Sequence, residues 1–151
     1  MRPRLVTAAL TAAAAVVGSL GTKPDSRWYT TLDRPSWQPP PVAFPLVWTP
    51  LYALIGWGTG RAAEASPEGR ERYLALVGTD LAVNAWWCWA FFARESTRGG
   101  LVTIVALDAL NVALLRETAK RDGTAAAALA PYVAWTGFAT ALNAEIWRRN
   151  R

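Results

Sequence analysis

"YLALVGTDLAVNAWWCWAFFA", residues 73–93, decides the fold. It carries one ionisable acid, Asp80, and no lysine or arginine. It also lacks the polar stripe that a soluble helix repeats every three to four residues. Its length falls within the about 17–25 residues that an α-helix needs to cross a bilayer. Four stretches of the same character accompany it: Leu5–Thr22, Ala43–Gly60, Gly99–Leu115 and Thr124–Trp147. Together they predict an all-α fold. The expected architecture is one integral, multi-pass membrane domain over residues 1–151, a bundle of five transmembrane helices at about 5–22, 43–60, 73–93, 99–115 and 124–147. Period-two alternation is missing, which excludes a barrel.

Charge supports this reading. Charged residues make up 18% of the chain, below the roughly 25% of soluble domains. They gather at the junctions: Arg2/Arg4, Lys23–Arg34, Arg61–Arg72, Arg94–Arg98, Arg116–Asp122 and Arg148–Arg151. A net charge of +5 placed at span ends is a membrane pattern and not a nucleic-acid footprint, so no nucleic-acid partner is expected. Lysines and arginines divide evenly between the two faces of the predicted bundle, so the positive-inside rule gives no orientation. The opening "MRPRLVTAALTAAAAVVGSLG" has features of a cleavable signal peptide, but no Ala-x-Ala site precedes a polar start near Gly21. It is read as a retained first span.

The chain has no histidine and one cysteine, Cys88. His-based triads, zinc sites, ordinary His-ligated haem and an intrachain disulfide are thereby excluded. No phosphate-binding glycine loop is present. The expectation is therefore no catalytic constellation, no metal and no resident cofactor.

Polar residues inside the spans are costly and normally face the bundle interior. In residues 73–93, Asp80, Asn84, Trp87, Cys88 and Phe91 share one helical face. That face suits an amphipathic aromatic ligand, or it holds neighbouring helices together by hydrogen bonds; both readings stay open. Asp108 and Asn111, on the face of Leu101, Ile104 and Leu115, predict interhelical hydrogen bonding. In the last span Tyr132, Trp135, Ala139, Leu142 and Asn143 share a face, with Pro131 expected to bend or start the helix. In the second span Trp48 and Tyr52 lie one turn apart, Pro45 and Pro50 distort the first turns, and Gly56 and Gly60 allow close approach, within the bundle or between copies. Trp28, Trp57 and Trp147 suit an interfacial belt.

Between the first two spans runs "WYTTLDRPSWQPPPVAF", residues 28–44. Pro35, Pro39, Pro40 and Pro41 stiffen it and keep it from being helical. Trp28, Tyr29, Trp37 and Phe44 give it an apolar underside, and Lys23, Asp25, Arg27, Asp33 and Arg34 a wet side. It reads as a structured lid over the mouth of the bundle.

Four ordered motifs, "WYTTLDRPSWQPP", "VWTPLY", "NAWWCWAFF" and "PYVAWTGFATALNAEIWRRN", cover nearly the whole chain and resemble the TspO/MBR family of tryptophan-rich sensory and translocator proteins, also called peripheral-type benzodiazepine receptors. The resemblance implies a five-helix membrane protein, a homodimer, with a cavity beneath the loop joining helices 1 and 2. It implies binding of porphyrin or haem, such as protoporphyrin IX, and of other small hydrophobic ligands, by a sensor, regulator or carrier. Light-dependent porphyrin breakdown and transport are the alternatives. Carried over by motif, Tyr29 and Pro40 belong to the lid and Trp48 and Tyr52 to the second-helix wall. Asn84, Trp87 and Cys88 belong to the third-helix wall, and Trp135, Ala139 and Asn143 to the fifth. Trp48 and Trp135 match the tryptophans linked to light-driven breakdown. Animal members carry a tyrosine-containing cholesterol motif after the fifth-helix "LN"; here Ala144 and Glu145 stand in that region, which counts against cholesterol. The alanine-rich composition points to a bacterial cell membrane.

Overall fold

A computed structural model describes residues 2–151. The described residues form six α-helices and no strand: α1 (Pro3–Gly21), α2 (Arg27–Thr31), α3 (Ala43–Ala65), α4 (Arg70–Cys88), α5 (Thr97–Arg121) and α6 (Gly123–Arg149). A π-helical turn, Trp89–Ala93, continues α4. The sequence predicts five helices; the sixth is the short α2, which lies within the loop between α1 and α3.

Local chemistry sets the helix starts. Pro3 stands in the first turn of α1, where a missing N–H costs nothing. Ser26, Ser96 and Asp122 cap α2, α5 and α6, their side-chain oxygens accepting from the N–H groups of Tyr29, Gly99 and Ala125 at 3.2, 2.9 and 2.7 Å. Gly69, at φ +60°, supplies the left-handed turn into α4. Pro131 neither starts nor stops α6, which begins at Gly123 and runs through it. Pro50 likewise sits inside α3.

Three helices, α1, α5 and α6, are long and apolar enough to cross a membrane. The predicted spans 43–60 and 73–93 also fall on long helices, α3 and α4. Their apolar character is diluted by proline, threonine and amphipathic aromatics in α3, and by Arg70, Glu71, Arg72, Asp80 and Asn84 in α4.

The five long helices close into a ring: α1 packs on α3 and α4, α4 on α5, α5 on α6, and α6 on α3. The interior is filled by Leu51, Ile55, Val77, Leu81, Leu114, Leu129 and Tyr132. At the α1–α3 contact Thr7 Oγ1 donates to the carbonyl of Gly56 at 3.0 Å. A Cβ on Gly60 would lie 2.8 Å from Thr7 Oγ1 and 3.0 Å from the Arg4 Cα. The two glycines therefore serve close packing inside the chain. As predicted for α5, Thr140 Oγ1 donates to Asp108 at 2.6 Å and Asn111 Nδ2 to Thr136 at 2.8 Å, both across to α6.

The end opposite the proline-rich loop is tied by charge. Arg61 bonds Asp122 at 2.9 Å, and Arg121 donates to the carbonyls of Ser66 and Glu68. The Arg61 guanidinium, with the Ala125 N–H, holds the Asp122 carboxyl below its ordinary value.

Gly60→Ala is expected to lower stability by about 1–3 kcal/mol through overpacking against α1. Gly78→Ala, whose Cβ meets nothing within 4 Å, is expected to raise it by up to about 1 kcal/mol. Thermal unfolding in detergent measures both. Because its folded value is depressed, Asp122 stabilises the fold above its ordinary value and loses that contribution as pH falls through the lowered one. The unfolding midpoint of Asp122→Ala is therefore expected to vary less than that of the parent between about pH 5 and pH 1.

Candidate ligand-binding site

The predicted site residues fall into two adjoining groups. In the deeper group, a hydrogen-bond chain links three helices. Tyr52 Oη of α3 donates to Asn84 Oδ1 at 2.9 Å, and Asn84 Nδ2 of α4 donates to Tyr132 Oη of α6 at 3.0 Å. Tyr132 Oη in turn donates to Asp80 Oδ1 at 2.9 Å. Trp48 lies over this chain, its ring centroid 5.3 Å from Tyr52 and 6.1 Å from Tyr132. Helical spacing explains the convergence: Asp80 and Asn84 are one turn apart on α4, and Trp48 and Tyr52 one turn apart on α3.

The second group lies directly under the loop. Trp87 stacks on Phe91 at 5.2 Å and meets Phe92 edge-on at 5.9 Å. Trp87 Nε1 donates to Asn143 Oδ1 at 3.3 Å, and Asn143 Nδ2 donates to the carbonyl of Ala139 at 2.8 Å. The π-helical turn helps to gather these rings, because its extra residue per turn brings both Phe91 and Phe92 to buried positions. Trp135 packs on Phe138 at 5.4 Å and on Phe44, from the start of α3, at 6.1 Å.

The loop rests on these rings. Trp28 and Tyr29 contact Phe91 and Phe92 at 5.3 and 5.1 Å, and Trp37 contacts Phe138 at 5.8 Å. Gln38 Nε2 donates to Tyr29 Oη at 3.0 Å, and the Arg34 guanidinium lies 5.0 Å above the Tyr29 ring. At its far end the loop is bound to the end of α6. The Asp33 N–H donates to Asn150 Oδ1, Asn150 Nδ2 donates back to the Asp33 carbonyl, both at 2.9 Å, and Arg149 reaches the Asp33 carboxylate at 3.4 Å.

Two predicted members stand apart. Cys88 is turned toward α1, where its Sγ would lie 3.5 Å from a Cβ on Gly18. Pro40 is exposed and lines a surface cleft of about 430 Å³ with Arg34, Gln38 and the neighbouring prolines. A second cleft, of about 440 Å³, lies outside the bundle between α1 and α4 against Trp86 and Trp89. Neither cleft is lined by Trp48, Trp87 or Trp135.

The structure adds Phe92 and Phe138 to the site and sets beside them Tyr132, Asp80 and Phe44, which the sequence already places on the same faces. Tyr132 and Asp80 share faces with predicted members, a signal already visible in their spacing. Phe92 reaches the site through the π turn, which no α-helical periodicity anticipates.

The arrangement is a set of indole and phenol rings from four segments over a polar floor. It can stack against a flat aromatic ligand and offer that ligand a few hydrogen bonds. The TspO/MBR family description matches residues 6–148. The chain belongs to the TspO/MBR family. It is 35% identical over 130 residues to the tryptophan-rich protein TspO of Chlorobaculum tepidum, covering 85% of this chain and 82% of that one. It is 35% identical over 138 residues to the tryptophan-rich sensory protein of Cereibacter sphaeroides, covering 91% and 85%. The translocator protein of Homo sapiens is 32% identical over 127 residues, covering 82% and 75%. Three apolar helices and this membership together make it a membrane protein.

The reciprocal Asp33–Asn150 pair is the loop's tie to α6. Asn150→Ala is expected to speed amide exchange across residues 27–41 by about tenfold, the equivalent of roughly 1.4 kcal/mol lost with two hydrogen bonds. Hydrogen–deuterium exchange read by mass spectrometry checks it.

Proposed function

We propose that this TspO/MBR protein crosses a bacterial cell membrane five times and binds a tetrapyrrole, of the porphyrin or haem class, between its loop and its polar floor. The observation that carries the reading is the set of rings from three helices, Trp48 and Tyr52 of α3, Trp87 of α4 and Trp135 of α6, linked through Tyr132, Asn84, Asn143 and Phe44, with the aromatic loop resting on the adjoining Phe91, Phe92 and Phe138. The ring supports the reading of five spans. α3 is packed between α1 and α6, and α4 between α1 and α5, so inserting the three apolar helices carries the other two with them. The names of two relatives, a sensory protein and a translocator protein, agree with a ligand-responsive role.

Binding would place the macrocycle among the rings beneath the loop. A macrocycle would then replace ring–ring contacts with its own, each worth about 0.5–1.5 kcal/mol beyond area burial. Arg34, at the mouth, would meet the propionates by charge-assisted hydrogen bonds.

Titration of protoporphyrin IX into detergent-solubilised protein, followed by quenching of tryptophan fluorescence, tests this. Replacing Trp48 and Trp135 together by Phe is expected to weaken binding about tenfold, roughly 1.4 kcal/mol from two reduced stacking contacts. An unchanged affinity would reject the site.

A further inference from the structure

Two buried oxygens at the centre of the bundle accept from nothing: Asp80 Oδ2 and Asn111 Oδ1. Both residues are interior, with Asp80 at 0% and Asn111 at 1% exposure. Helix register brings them to one level. Tyr73 Oη of α4 bonds Thr118 Oγ1 of α5 at 2.8 Å, and a Cβ on Gly100 of α5 would lie 2.6 Å from the Phe91 ring. Asp80 lies as far beyond Tyr73 along α4 as Asn111 lies before Thr118 along α5. The Phe91–Gly100 contact gives the same alignment from the other side. The remaining polar atoms of both residues are anchored on α6, Asp80 by Tyr132 and Asn111 by Thr136, one turn apart.

No base reaches this centre. The apolar stretches of α3, α4, α5 and α6 contain no lysine, arginine or histidine at its depth. Of the two acids on α5, Asp108 accepts from Thr140 and Glu117 pairs with Lys120 at the helix end. A carboxylate here would be an unpaired charge inside an apolar bundle, with one hydrogen bond in place of its several. Such a group takes up a proton instead of bearing that cost.

We propose that the α4–α5–α6 centre is a proton-binding site: Asp80 is a neutral carboxylic acid whose Oδ2–H donates to Asn111 Oδ1. One proton then satisfies both orphaned oxygens and joins α4 to α5, while Oδ1 keeps the hydrogen bond from Tyr132. The consequence for the neighbouring chamber is electrostatic, and this part rests on the tetrapyrrole reading. With Asp80 neutral, the polar floor formed by Tyr132, Asn84 and Tyr52 ends on no negative charge, so a ligand bearing carboxylates enters without repulsion from below.

The proton is tested on ligand-free protein, so failure of the tetrapyrrole reading leaves the test intact. At neutral pH in detergent, the infrared difference between the parent and Asp80→Asn should show loss of a carboxylic-acid carbonyl band that shifts in heavy water. Asparagine reproduces the protonated acid, its amide accepting from Tyr132 and donating to Asn111. Asp80→Asn should therefore unfold at the parent's temperature, whereas Asp80→Leu should unfold lower, because Tyr132 loses its acceptor. Loss of carboxylate bands instead of the acid band would overturn the proposal. So would an Asp80→Asn protein as destabilised as Asp80→Leu.

Discussion

An apolar bundle must satisfy each polar atom it buries from within, because neither lipid nor a packed core offers a partner. That constraint organises this molecule. Tyr52, Asn84, Tyr132 and Asp80 sit in the interior and solve the problem jointly, through one chain of hydrogen bonds across α3, α4 and α6. Thr136 with Asn111, and Thr140 with Asp108, repeat the solution between α5 and α6. Each such bond contributes modestly, about 0.6 kcal/mol in membrane bundles. Their directionality matters more, since it fixes the rotation of each helix and hence which rings face inward.

The aromatic groups follow from that rotation. Once Asn84 points at Tyr132, the next turns of α4 aim Trp87 toward α6, where Asn143 receives its indole N–H. The same face carries Phe91 into contact with the loop, and the π turn adds Phe92. Polar satisfaction and aromatic convergence are thus one arrangement seen at two depths. The loop closes it from above, held by ring contacts beneath and by Asn150 at its edge.

Close helix approach supplies the remaining condition. Gly56 lets α3 lie against Thr11 and Ala8 of α1, Gly60 lets it lie against Thr7 and Arg4, and Gly100 makes room for Phe91 at the top of α5. The glycine spacing in α3 is often associated with contacts between copies, yet here both positions are taken up inside the chain.

The sequence by itself determined the helical class, the positions of the long helices and most of the inward-facing residues. Apolar run length and three-to-four-residue spacing are local properties, and Trp48, Tyr52, Asn84, Trp135 and Asn143 could be read from them. The aromatic underside of the proline-rich segment was legible too, whereas Arg27–Thr31, ahead of the prolines, form a helix that the proline count did not anticipate. Tertiary structure alone decided what those residues touch. It turned Cys88 toward α1, joined Tyr132 to both Asn84 and Asp80, and seated the loop on Phe91, Phe92 and Phe138. It also set Asp80 level with Asn111. Each of these depends on how one helix is rotated and shifted against another, a quantity fixed by contacts distant in the chain, which leaves no trace in the periodicity of any single segment.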